Sequence, residues 1–294
     1  MPTFDTPEHI SMTVEVGVGD IRIVASDRTD TVVEVRPSSS AKKADVAAAQ
    51  QTRVEYAGGR LVIKAPKGWR QYSFRGGGES IDVQVDLPTG SHVRGEAGVA
   101  AFHCSGRLGE CYFKTGVGEI HLDQAGDSVE LKSGAGDITV GRAVGPADVT
   151  SGSGTVQIGS IGGTAVIKNS NGDTWIGEVI GDLRANAANG KIVVDQAQAG
   201  VAAKTANGDI RLGDVARGVI LAETAYGNVE LGVREGVAAW LDLSTRFGNV
   251  HSELDPVKRP EAGEKGVEVR ARTSLGDITV IHARTARAAS PGQS

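Results

Sequence analysis

Apolar and polar residues alternate along this chain in short runs, and the runs return at a fixed spacing. Gly118-Glu119-Ile120-His121-Leu122 is followed by Gly136-Asp137-Ile138-Thr139-Val140, Gly154-Thr155-Val156-Gln157-Ile158, Gly172-Asp173-Thr174-Trp175-Ile176, Gly190-Lys191-Ile192-Val193-Val194 and Gly208-Asp209-Ile210-Arg211-Leu212, eighteen residues apart each time. Counted from the repeated glycine, four columns are apolar. Two positions on lie Phe102, Ile120, Ile138, Val156, Thr174, Ile192 and Ile210, and four on lie Cys104, Leu122, Val140, Ile158, Ile176, Val194 and Leu212. Eleven on lie Cys111, Val129, Ala147, Ala165, Leu183, Val201 and Val219, and thirteen on lie Phe113, Leu131, Val149, Ile167, Ala185, Ala203 and Leu221. A period of two puts each pair of columns on one face of a strand. Two such strands per repeat predict coils whose inner faces meet across a narrow core, stacked so that each touches only its neighbours.

The fold class expected is all-β: a parallel β-solenoid, β-helix or β-roll-like, with coils of about 18 residues and two strands per coil. Ala97-Gly98-Val99-Ala100-Ala101-Phe102 extends the register backwards. Forwards it drifts, to Gly227, Gly248 and Gly276, with a polar insertion around Asp255-Pro256-Val257-Lys258-Arg259-Pro260-Glu261. Asn171-Gly172, Asn189-Gly190 and Asn207-Gly208 place the same turn pair in three successive coils, where stacked amides can form a ladder. About ten coils between Ala100 and Val280 imply a body about 45 to 50 Å long at the ordinary strand spacing.

The first hundred residues read differently. Alternation marks strands at Ile10 to Val16, Gly19 to Ile23, Thr31 to Arg36, Arg60 to Lys64 and Ser80 to Leu87, with a short Ala-rich helix over Ala41 to Gln51 suited to covering a solenoid end. The expected organisation is an N-terminal β-rich cap with one helix over 1–95, solenoid repeats over 96–283 and a disordered polar tail over 284–294. The glycine-rich loop from Pro66 to Glu79 is expected to be mobile.

Composition narrows the class of function more than its identity. With 41 glycines and 4% aromatic residues, the chain suits a thin core of Val, Ile, Leu and Ala. A net charge of −5 and a pI near 5.7 give no global attraction to nucleic acid, and none is expected as a partner. Met1-Pro2-Thr3-Phe4-Asp5-Thr6-Pro7 lacks a basic start and apolar run, and no stretch is long and apolar enough to span a bilayer. Two cysteines make no disulfide framework and fit a reducing compartment, so the expected location is cytoplasmic.

Gly19-Asp20-Ile21-Arg22-Ile23, Val83-Gln84-Val85-Asp86-Leu87-Pro88-Thr89-Gly90 ahead of the first coil, and the repeated Gly-Asp-Ile units together resemble the DUF4097 family. These are bacterial β-strand repeat proteins, uncharacterised in biochemistry, whose adhesin label is inferred from shape. The resemblance covers nearly the whole chain and implies a β-solenoid. It brings no catalytic residues and no cofactor.

The candidate chemistry is sparse. Cys104 and Cys111 fall in core columns and read as small hydrophobes. His103 and His121 are outward and one coil apart, but no third ligand stands in their column, so they read as a solvated pair with no metal. Glu119, Asp137, Asp173 and Asp209 follow the repeat glycine once per coil, too sparsely for a calcium cage, and read as solvated corner charges. Lys114, Lys132, Thr150, Lys168, Asn186 and Lys204 form a broken basic stripe, read as an edge guard partly neutralised by the corner acids five positions on. Trp175, Tyr226 and Phe247 fall in different columns, giving no aromatic platform, and Trp240 counts into the column of Phe113. Nucleophile-elbow, phosphate-loop and zinc-protease motifs are absent.

The function expected is therefore a noncatalytic scaffold or interaction protein, adhesin-like, binding a protein or glycan, with no catalytic, cofactor or metal site. Two alternatives stand beside it: a carbohydrate-active β-helix enzyme using Asp148 and Arg184, and a self-assembling, cytoskeleton-like solenoid.

Overall fold

A computed structural model describes residues 1–66, 79–254 and 266–283. The loop expected at 66–79 falls largely outside this range, and the insertion after Leu254 and the tail after Ala283 lie outside it. Among the described residues the fold is a parallel β-solenoid with a single helix, Lys43–Gln51.

Six coils in the middle follow the eighteen-residue period. They run from Cys111–Val117 with Ile120–Ala125 to Val201–Asn207 with Ile210–Val215, and each strand pairs in parallel with the one eighteen residues away. The four apolar columns are buried throughout these coils, and Phe113 of the first meets Phe102 of the preceding coil at 4.9 Å between ring centroids. A fifth buried column closes the second strand: Ala125, Ala143, Ile161, Val179, Ala197 and Val215.

The repeat glycine is dictated by the backbone. Gly136 has φ near +139° and Gly172 near +130°, and a Cβ on either would stand 2.2 Å from the carbonyl oxygen of the glycine one coil before. That same carbonyl is occupied from inside the coil. Thr115, Ser133, Asn169, Thr205, Thr224, Thr273 and Thr245 each donate to the carbonyl of a repeat position in the neighbouring coil at 2.9–3.2 Å. A buried polar column thus satisfies the turn, since an unpaired buried carbonyl would be costly.

The corner aspartates after the glycine are solvent-facing and also have a structural task. Asp137 accepts the Thr155 N–H at 2.7 Å, Asp173 the Lys191 N–H at 2.8 Å, and Asp209 the Asn228 N–H at 2.9 Å. From Asp137 to Asp209 acceptor and donor coils alternate, which keeps these three carboxylates about two strand spacings apart. The asparagine ladder expected at the turn is present: Asn207 donates to Asn189, and Asn189 to Asn171, at 2.9 Å each.

The ends depart from sequence order. Strand Ser11–Ser26 is a full coil of the stack, pairing in parallel with His92–Leu108 on one side and with Arg60–Lys64 and Ile81–Pro88 on the other. A boundary at 95/96 falls inside His92–Leu108. At the other end, Gly266–Leu275 and Ile278–His282 lie between Gly218–Tyr226 with Val229–Val233 and Ala238–Phe247 with Val250–Ser252. Each end therefore carries three coils, and the twelve together span about 50 to 55 Å at ordinary strand spacing.

This rearrangement shifts two expected columns. The nineteen residues from Gly208 to Gly227 hold one extra residue before Gly218–Tyr226, so Ile220 and Ala222, not Val219 and Leu221, continue the core; Val219 is 52% exposed. Trp240 aligns with Glu268 on the outward face, whereas Ala239, Leu241 and Leu243 take the inward positions. Counting from Gly227 failed because the adjacent coil in space belongs to Gly276.

The N-terminal end is closed. Arg53–Ala57 runs antiparallel along Arg60–Lys64, Asp30–Pro37 runs antiparallel along Ile81–Pro88, and Thr3–Asp5 runs antiparallel along Asp30–Pro37. The helix packs on Asp30–Pro37 and Ile81–Pro88, and its buried Asp45 accepts the Ser80 N–H at 3.0 Å and pairs with Lys42 at 3.1 Å. Burial opposes ionisation of Asp45, yet the Ser80 and Lys42 interactions outweigh it and hold the carboxyl below its usual range.

Candidate interaction surface

A broad concavity lies along the second strands of successive coils. Five positions after the repeat glycine stand Gly141, Gly159, Gly177, Asp195, Gly213 and Gly232, and four of these glycines with their flanking residues floor a groove of about 790 Å³. Glycine leaves the backbone bare, and successive coils carry the depression along the solenoid axis. Asp195 is the one side chain in that row and is exposed.

One wall is a hydrogen-bonded network across several coils. Arg234 clasps Asp214 through Nε at 3.1 Å and Nη2 at 2.6 Å, and its Nη1 donates to Gln198 Oε1 at 3.1 Å. Gln198 in turn donates to Glu178 Oε1 at 3.3 Å. The bond to Asp214 raises the Arg234 guanidinium pKa against the opposing effect of burial. Arg211 faces Glu230 at 3.7 Å. Glu178, Asp195, Asp214, Glu230 and Glu235 outnumber Arg211 and Arg234, so the groove is acidic, and among the described residues no aromatic side chain lines it.

The residues singled out from sequence are dispersed. Cys104 and Cys111 are free and buried in the core columns. Burial pushes both thiols up, Cys111 to about 12 with Glu110 and Asp127 adding to the effect, which removes thiolate reactivity near neutrality. His103 and His121 are adjacent in register but use separate carboxylates: His103 lies 3.5 Å from Glu119 and His121 lies 3.0 Å from Asp123. Among the described residues, no three His, Cys, Asp or Glu side chains converge as a metal site.

The basic stripe is continuous in register from Lys114 to Lys204, but its neutralising partners are not the corner acids. Lys132 pairs with Glu130 on its own strand, and Lys204 with Glu223 on the next coil at 2.8 Å. Asp148 and Arg184 share an outward column, separated by Val166, and no acid–base pair forms between them.

The aromatic residues require a further correction. Tyr226, Leu275 and Phe247 are consecutive partners across three coils and are 60%, 52% and 66% exposed. They continue the turn column occupied by asparagines in the middle of the molecule. Sequence counting separated Tyr226 from Phe247 because Leu275 comes from the inserted coil. Trp175 remains alone, between Gln157 and Val193.

The sequence profile described as Toastrack DUF4097 matches residues 8–281. The chain belongs to this family. Among solved structures, it is similar to a candidate adhesin from Bacteroides fragilis at 15% identity, covering 95% of each chain with a TM-score of 0.39. A candidate lipid-binding protein from Parabacteroides distasonis is similar at 13% identity over 94% of this chain and 95% of that one, with a TM-score of 0.34. A candidate cell adhesion protein from Clostridium sporogenes is similar at 12% identity, covering 96% and 98%, with a TM-score of 0.24. No curated protein matches the chain.

The groove escaped sequence reading, although its signal was present. A second glycine at a fixed offset of five has no place in an alternating strand and marks a bare strip of backbone. The polar inner column at offset fifteen was equally visible as Thr115, Ser133, Ser151, Asn169 and Thr205.

Proposed function

We propose that this chain is a noncatalytic scaffold whose glycine-floored groove receives a cationic segment of a macromolecular partner. The observation that carries this reading is the fixed excess of carboxylates along a concave strip crossing successive coils. Such a surface steers and selects by charge, and its rigid strands lose little entropy on binding. A protein segment suits it better than a glycan, since sugars are commonly held by stacking on aromatic faces and the groove offers none. Among the described residues no helix is long and apolar enough to cross a membrane. Two buried, unbridged cysteines support a reducing, cytoplasmic setting.

Fluorescence anisotropy with labelled oligolysine, oligoglutamate and a neutral glycan set tests the reading. Oligolysine should bind in a salt-sensitive manner, and Asp195→Lys with Glu235→Lys should weaken it by about tenfold or more. Equal binding of oligoglutamate, indifference to the charge reversals, or turnover within the glycan set would sink it.

A further inference from the structure

The two ends of the solenoid are unequal. Beyond Arg60–Lys64 and Ile81–Pro88 the N-terminal end has antiparallel strands and a helix, and its outermost strands, Arg53–Ala57 and Thr3–Asp5, are short. At the opposite end, Ala238–Phe247 is a ten-residue strand that pairs only with Gly266–Leu275 among the described residues.

The ladder shows which backbone groups that edge presents. In each coil the core-facing residue donates onward, as Val129 does to Pro146 O at 2.9 Å and Ala147 to Thr164 O at 3.0 Å. The same alternation turns the N–H and C=O groups of Ala239, Leu241, Leu243 and Thr245 past the last coil. Leu241 and Leu243 are only half-buried there, unlike the residues of their columns further in. Such an edge is a template for another strand.

We propose that a second copy of this chain occupies it, through antiparallel pairing of Ala238–Phe247 with itself about a two-fold axis at Ser244. The charges on the strand select this register. With Ser244 opposite its own counterpart, Asp242 faces Arg246 of the second copy, and Arg246 faces its Asp242, so two opposite-charge pairs form at once. Sliding the strands to put Asp242 opposite Asp242, or Arg246 opposite Arg246, juxtaposes like charges. Within one chain Asp242 is only 3.7 Å from Arg272, and Arg246 is exposed with no ion-pair partner among the described residues. The register also aligns the outward-turned N–H and C=O groups of Leu243 with those of Thr245 of the second copy, and those of Thr245 with those of its Leu243, while the Phe247 carbonyl stays bonded to Gly276 N–H of its own chain at 3.0 Å. Because the axis runs across both layers, the second sheet continues alongside the first, and an isologous contact of this kind closes at two copies.

Full-length protein in sedimentation analysis should then show a species of twice the 30.4 kDa chain mass, dissociating on dilution. Asp242→Lys or Arg246→Glu alone should weaken association by about tenfold or more, and the two together should restore it, with circular dichroism unchanged. Ser244→Cys should yield a disulfide-linked dimer on oxidation, because a non-hydrogen-bonded antiparallel pair brings the Cα atoms to about 4.5 Å. A chain that stays monomeric at its highest soluble concentration overturns the proposal. So does a dimer indifferent to both charge reversals, or one in which Ser244→Cys fails to crosslink, which would place another surface or another partner at the contact.

Discussion

The six central coils and the three-coil ends are built from the same strand pattern but solve different problems. In the centre every coil is both preceded and followed by its sequence neighbours, and the turn column is polar, with Asn171, Asn189 and Asn207 bonded side to side. Towards the ends the turn column becomes apolar, passing through Ala135 and Val117 to Val99 in one direction and through Tyr226, Leu275 and Phe247 in the other. The order of coils also departs from the sequence. The first coil of the chain, Ser11–Ser26, and the last, Gly266–His282, are each covered on the outside by a coil from further inside the sequence. A repeat stack is weakest where a coil has one neighbour, since stability is a sum of coil and interface terms. Placing the chain's first and last coils second from the edge gives each two interfaces and moves the single-interface position to a segment tethered at both ends.

The largest test of this contrast is to remove the inserted coil. Truncation after Leu254 takes away the strands with which, among the described residues, Ala238–Phe247 and Val250–Ser252 pair, so protection of their amides in hydrogen exchange should vanish along with that of the deleted coil. The central coils should keep their protection. Survival of slow exchange in Ala238–Phe247 would show that the coil docks without its spatial neighbour.

A smaller effect separates glycines by position. Gly136→Val in the centre forces a Cβ into a backbone carbonyl at 2.2 Å with φ near +139°, and should cost about 3 kcal/mol or more in chemical denaturation. Gly236, near the open end, has φ near +75° and nothing within 4 Å of an added Cβ, so Gly236→Ala should cost about 1 kcal/mol. Similar losses at the two sites would break the distinction.

The smallest effect concerns the polar turn column. Asn189→Ala removes one bond donated to Asn171 and one accepted from Asn207, both exposed, and should lower stability by about 1 kcal/mol. An unchanged denaturation midpoint would show that water replaces the ladder without loss.

The coils could be read directly because their cause is local and repeated. Alternation set the inward face, and the glycine period marked the turn. Cys104 and Cys111 were assigned to the core by column alone, and both are buried there. The errors share one origin, which is counting along the chain where space does not follow it. Counting from Gly227 turns Trp240 inward, although its strand takes its register from Gly266–Leu275. Tyr226 and Phe247 were separated for the same reason. The corner aspartates have a second task that counting does not reveal, because their partners are backbone N–H groups one coil away, which carry no side-chain signature.

What the sequence by itself determined was the unit: a two-strand coil, its inward columns, its glycine turn and its family. Period and alternation are properties of neighbouring residues, and they persist wherever a coil is placed. The tertiary structure decided the order of the end coils, the acidic groove and the apolar stripe ending at Phe247. Parallel strands with the same inward pattern can pair in any order, so the choice among them rests on which interfaces bury most and leave fewest edges open.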